Sequence, residues 1–67
     1  MLNSMRMTKF KDILDEMFCT EKVMGINQKA IYISLYSVIF SWLKIEFITV
    51  SEYNVLNAYV LRKEGKK

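Results

Sequence analysis

The residues with the most chemical potential in this chain are three closely spaced carboxylates, Asp12, Asp15 and Glu16, and one thiol, Cys19. Neighbouring carboxylates can hold a metal ion or exchange protons, and a thiolate can attack an electrophile, but each needs a tuning partner. The sequence has no histidine, which removes Ser–His and Cys–His pairs and any histidine metal site. A single cysteine makes neither an internal disulfide nor a cysteine-rich zinc site. The acids interleave with Lys9 and Lys11, as on a solvated helix face, and Lys11 and Asp15 stand four apart, where they can pair. Cys19 closes an apolar stripe and reads as a packed or half-buried thiol. Tyr32, Tyr36, Tyr53 and Tyr59 could stack on bases, but such tyrosines more often pack in a core or interface with the hydroxyl at its rim. These residue types predict no catalytic residue, no metal site and no cofactor.

The elements that would position these side chains must fit into 67 residues, of which 52% are hydrophobic and 25% charged, with a net charge of +3. That length allows one domain, residues 1–67, and a monomer of this size buries only roughly 60% of the surface its unfolded chain exposes. The hydrophobic fraction is too high for a disordered chain. Lys outnumbers Arg eight to two, Ile occurs seven times and Ala twice, the bias of an AT-rich coding sequence from a low-GC bacterium or its phage. Met1, Met5 and Met7 are alternative starts, so residues 1–6 are expected to be flexible. They do not resemble a signal peptide, because Arg6 leads into a mixed-charge segment.

Hydrophobic periodicity outlines three segments. In the first, Met7, Phe10, Ile13, Leu14, Met17 and Phe18 recur three and four apart, one stripe of a helix, with Thr8 or Ser4 as its cap. Thr20 to Ile26 reads as a loop with Gly25 at positive φ. In the second, Ala30 to Leu43 carries no charge. Ile31, Ile33, Leu35, Val38 and Phe40 give some strand-like alternation, yet the run is long for a strand. Ala30, Ser34, Ser37 and Ser41 fall on one narrow helical stripe, which favours a helix capped by Asn27. That stripe is either the solvent face or a close helix contact. In the third, Thr49 and Glu52 form a capping box, with Ile48 and Tyr53 as a hydrophobic staple. Tyr53, Leu56 and Val60 line its apolar side, Arg62 and Lys63 suit its C-terminal dipole, and Gly65 ends it. Lys66 and Lys67 are a basic tail. The expected fold is all-α, three helices near 8–19, 28–45 and 50–63, with the second central, assembled as a dimeric bundle.

The stretch Leu43-Lys44-Ile45-Glu46-Phe47-Ile48-Thr49-Val50-Ser51-Glu52-Tyr53 resembles the short C-terminal domain family, SHOCT. That family's pattern is an amphipathic helix, an apolar–Ile–Thr–x–x–Glu–Tyr/Phe turn and a second helix; the resemblance covers 28–65 as a helical hairpin. Many members carry glycine where Glu46 stands, so Glu46 implies a less sharp turn here. The resemblance implies an interaction or oligomerisation module without an active site. Similar sequences occur as small proteins of Gram-positive phages and conjugative elements. This implies a regulator or inhibitor that binds a host protein in the bacterial cytoplasm.

Other partners follow from charge and hydropathy. A pI near 9.1 invites nucleic acid, and a helix-turn-helix reading makes 50–63 the recognition helix, with Asn54 and Asn57 reading adenine. No Lys or Arg stands near that helix's start to hold phosphates, so a DNA-binding regulator is the second reading. The uncharged run makes about 21 Å of helix against a hydrocarbon core of roughly 30 Å, too short for a membrane span. The apolar residues of the second segment wrap most of its circumference, more than two short helices can cover. They predict a homo-oligomer, or a larger protein partner, with an interface of Leu35, Ile39, Trp42 and Leu43 beside Tyr53, Leu56 and Val60.

Overall fold

Each helix opens on a side-chain cap and closes on a left-handed residue. The computed structural model describes residues 3–65. It contains α1 (Ser4–Val23), α2 (Gln28–Lys44) and α3 (Val50–Lys63), with no strand among the described residues. Asn3 Oδ1 accepts from the Arg6 amide at 3.0 Å and caps α1, whereas Thr8, a candidate cap, donates its hydroxyl to the Ser4 carbonyl instead. Asn27 caps α2 by accepting from the Lys29 amide, and Thr49 and Glu52 complete the capping box of α3. Because α1 begins at Ser4 and ends at Val23, it is longer than its apolar stripe suggested, and Ser4–Arg6 are helical rather than loose. Met1, Leu2 and the basic tail Lys66–Lys67 lie outside the described residues.

The C-termini share one design. After α1, Gly25 has φ +80°, its amide donates to the Lys22 carbonyl and that of Ile26 to the Glu21 carbonyl, the paired bonds of a Schellman motif. After α2 the same two bonds run from Glu46 to Leu43 and from Phe47 to Trp42, but the left-handed seat is taken by Glu46 at φ +60°. After α3, Gly65 has φ +84° and donates to the Arg62 carbonyl. Glu46 therefore does not blunt the turn, as the residue type implied. The chain reaches the glycine-like geometry, and the aromatic contact of Phe47 with Trp42, ring centres 6.1 Å apart, closes over it.

Each helix packs against both others. The core is Met7, Phe10 and Leu14 from α1, Ile31, Tyr32, Leu35 and Ile39 from α2, and Leu56 and Val60 from α3, with Ile48 from the corner. Four of the seven residues expected at an intermolecular interface lie inside the chain instead. Leu35, Ile39, Leu56 and Val60 are fully buried within a single chain, and Trp42, Leu43 and Tyr53 are half-buried against the same core. The physical reason is that Met7, Phe10 and Leu14 of α1, with Met17 and Phe18 packed beside them, cover a flank of α2 that was expected to lie bare. Of the small-residue stripe, Ala30, Ser37 and Ser41 are exposed and Ser34 is half-buried, as on a solvent face of the chain.

A non-glycine residue at left-handed φ costs roughly 1–2 kcal/mol, part of which glycine returns through its looser unfolded chain. Glu46→Gly is therefore expected to stabilise the fold by about 0.5–1 kcal/mol. Urea unfolding should show a higher midpoint with unchanged helical circular dichroism, and a lower midpoint would contradict this account of the corner.

Candidate functional site

The most heavily built polar site joins α1 to the corner between α2 and α3. The Glu52 side chain is 6% exposed and that of Arg6 42%. Glu52 Oε1 accepts from the Thr49 amide at 2.8 Å, as the capping box requires, while Oε2 accepts from Arg6 Nε at 2.7 Å. Arg6 Nη2 donates to the Phe47 carbonyl. The guanidinium also lies over Phe10, 4.8 Å from the ring centre, and 5.7 Å from that of Phe47. Phe10, Trp42 and Phe47 stack edge to face or tilted, with ring centres 5.3–6.1 Å apart. The Arg6 hydrogen bond, the Thr49 amide and the Arg6 charge hold the Glu52 carboxyl below its usual pKa despite its burial.

A second polar cluster ties the far end of α3 to the other helices. The Tyr59 hydroxyl donates to Asp15, 2.7 Å from Oδ1, and Lys63 Nζ pairs with the same carboxylate at 3.0 Å. The Tyr32 hydroxyl donates to the Lys63 carbonyl, and that of Tyr36 to Glu64 Oε1. Burial alone would raise the Asp15 pKa, but the bonds from Tyr59 and Lys63 and the Lys63 charge outweigh it and lower it. Burial first, and the facing carboxylates Glu64 and Asp15 second, push the Tyr36 and Tyr59 hydroxyls up to about 12.

These contacts place the sequence's chemical candidates. Asp15 is held by α3 and not by Lys11, whose ammonium instead lies 5.2 Å from the Tyr59 ring centre. Asp12 and Glu16 are exposed, and the charge of Asp12 reaches the Tyr59 hydroxyl that Asp15 accepts from. Among the described residues no group of three acidic or cysteine side chains is placed to hold a metal ion. Cys19 is exposed rather than packed, because Phe18 takes the inward position and the next residue of a helix turns about 100° away. On α3, Val50, Ser51 and Asn54 are exposed, Asn57 is half-buried, and Lys63 is engaged with Asp15. No described helix is long and apolar enough to cross a membrane.

Apolar side chains are also exposed on the helix faces. On the α2–α3 side, Ile33 and Phe40 stand seven residues apart on one helix face and are 58% and 50% exposed. The Phe40 ring meets Tyr53 at 6.5 Å, and Val50, one turn earlier on α3, is 64% exposed. Along α1, two shallow grooves flank Ile13, one lined by Met5, Lys9 and Phe47, the other by Glu16, Met17 and Thr20. Periodicity alone does not single out Phe40 and Val50 as surface residues, and it places Arg6 in a loose start. Arg6 was legible only as a cation four residues before Phe10. No family model, curated protein or solved structure matches this chain.

Removing the Arg6 side chain leaves a buried carboxylate with one partner fewer. Arg6→Ala is expected to destabilise by about 2–3 kcal/mol, below the cost for a fully buried pair because water reaches the outer half of Arg6. Arg6→Lys should recover only part, since an ammonium does not match the forked contact. Urea denaturation of both variants checks the order.

Stability should also fall at both extremes of pH. Glu52 and Asp15 have lowered pKa values, so their contribution is present above their unfolded values of 4.5 and 3.8 and is lost as pH falls through the folded ones. Tyr36 and Tyr59 are raised, so theirs is present below 10.0 and lost as pH rises towards about 12. Melting temperatures across pH should form a plateau between these limits, and Tyr59→Phe should flatten the alkaline edge.

Proposed function

We propose that this chain is a small non-enzymatic interaction protein that works by binding a protein partner. The observation that carries this reading is the exposed apolar face of Ile33, Phe40 and Val50 beside Tyr53. Single exposed apolar residues are ordinary, but a row of large ones spanning two helices marks a surface built to be covered. Phe40 and Tyr53 supply aromatic anchors of the kind that carry most binding energy, and Lys44, its ammonium 6.0 Å from the Phe40 ring centre, supplies a polar rim. The resemblance of residues 43–53 to the SHOCT family supports this reading, because it implies an interaction or oligomerisation module. That resemblance and the AT-rich coding bias lead to a regulator or inhibitor carried by a Gram-positive phage or mobile element and acting on one host protein.

The test is retention of host proteins on the immobilised chain, compared with a Phe40→Ser, Val50→Asp double variant. Both sites are exposed, so the variant is expected to keep its helical signal and to change stability by no more than about 0.5 kcal/mol per site. A protein retained by the natural chain at high salt and lost by the variant supports the reading. Retention unaffected by the variant, or salt-sensitive retention of DNA alone, overturns it.

A further inference from the structure

The charge on α1 is divided in a way its own stability does not explain. Residues 4–11 carry Arg6, Lys9 and Lys11 and no acid, whereas residues 12–23 carry Asp12, Asp15, Glu16 and Glu21 against one Lys22. Cations in the first turns, with no acid among them, oppose the helix dipole. Intramolecular contacts absorb Arg6, Lys11 and Asp15. Lys9 and Glu16, both exposed, make no ion pair among the described residues. They share one face with Ile13, which is 43% exposed and separates the basic groove from the acidic one.

We infer that a second copy of this chain docks on this face, α1 against α1 in antiparallel orientation about a twofold axis at Ile13. At 1.5 Å per residue, Lys9 lies about 6 Å before Ile13 along the helix and Glu16 about 4.5 Å after it. Reversing one copy about Ile13 therefore brings Lys9 of each chain level with Glu16 of the other, within about 1.5 Å along the axis. Two identical ion pairs flank an Ile13–Ile13 contact, and each basic groove, with Met5 and Phe47 in its wall, faces the partner's acidic half. This is the self-complementary arrangement that a twofold interface requires. It uses a different helix from the proposed partner face, so both surfaces can be occupied together.

The charge pattern gives a test independent of folding. The natural chain is expected to sediment as a dimer at high micromolar concentration. Lys9→Glu alone faces like charges across the axis, as does Glu16→Lys alone, and each should weaken self-association by more than about tenfold. Mixing the two variants restores both opposite-charge pairs in a heterodimer, so the mixture should dimerise although neither component does. Both sites are exposed, and unchanged circular dichroism and melting of each variant separates lost docking from lost fold. A natural chain that stays monomeric overturns the inference. So does a dimer indifferent to both substitutions, or a mixture that fails to recover. None of these outcomes bears on partner retention through Phe40 and Val50.

Discussion

The buried carboxylate of Glu52 is the contact on which the arrangement of the helices turns. Its two oxygens serve different levels of structure. One accepts from the Thr49 amide and starts α3, a local bond that an isolated peptide could make. The other takes the guanidinium of Arg6 and so fixes where α1 crosses the corner. A carboxylate at this burial would be costly without both partners. Arg6 is matched to the site by its shape, since its planar fork reaches a carboxylate and a backbone carbonyl at once while its face rests on Phe10. The corner holds together because Phe47 presents its carbonyl to Arg6 and its ring to Trp42 and Phe10.

That junction explains how so small a chain encloses a core. A helix as apolar as α2 needs cover on most sides, and α1 provides it only because it is held in register along its length. Arg6 pins one end of α1, and Asp15, held by Tyr59 and Lys63, pins the middle to α3. Between these pins Met7, Phe10 and Leu14 are buried. Tyr32 and Tyr36 fasten the C-terminal end of α3 through their hydroxyls, so the polar tips of residues whose rings pack inward complete the enclosure.

What the enclosure leaves outside has the more direct bearing on function. The core takes the inward row of α2, Ile31, Tyr32, Leu35 and Ile39, and leaves Ile33 and Phe40 facing water. The apolar excess of α2 was visible in its composition, but its division between core and surface was not. Periodicity says how many apolar faces a helix has, and the number and length of its neighbours say which of them are covered.

Local signals alone determined much of this protein. Asn27, Thr49 and Glu52 marked helix starts, Gly25 and Gly65 marked ends, and the serine spacing separated a helix from a strand in the β-branched middle segment. Each depends on neighbours within a few residues, and so each is written in the sequence directly. Tertiary structure decided the roles of residues whose partners are distant. Arg6 looked like part of a loose start, Asp15 like the partner of Lys11, and Leu35, Ile39, Leu56 and Val60 like an interface between chains. Arg6 meets Glu52 across 46 residues and Tyr59 meets Asp15 across 44. No periodicity encodes such pairings, because they exist only once three helices have packed and the buried charges have found the partners that burial demands.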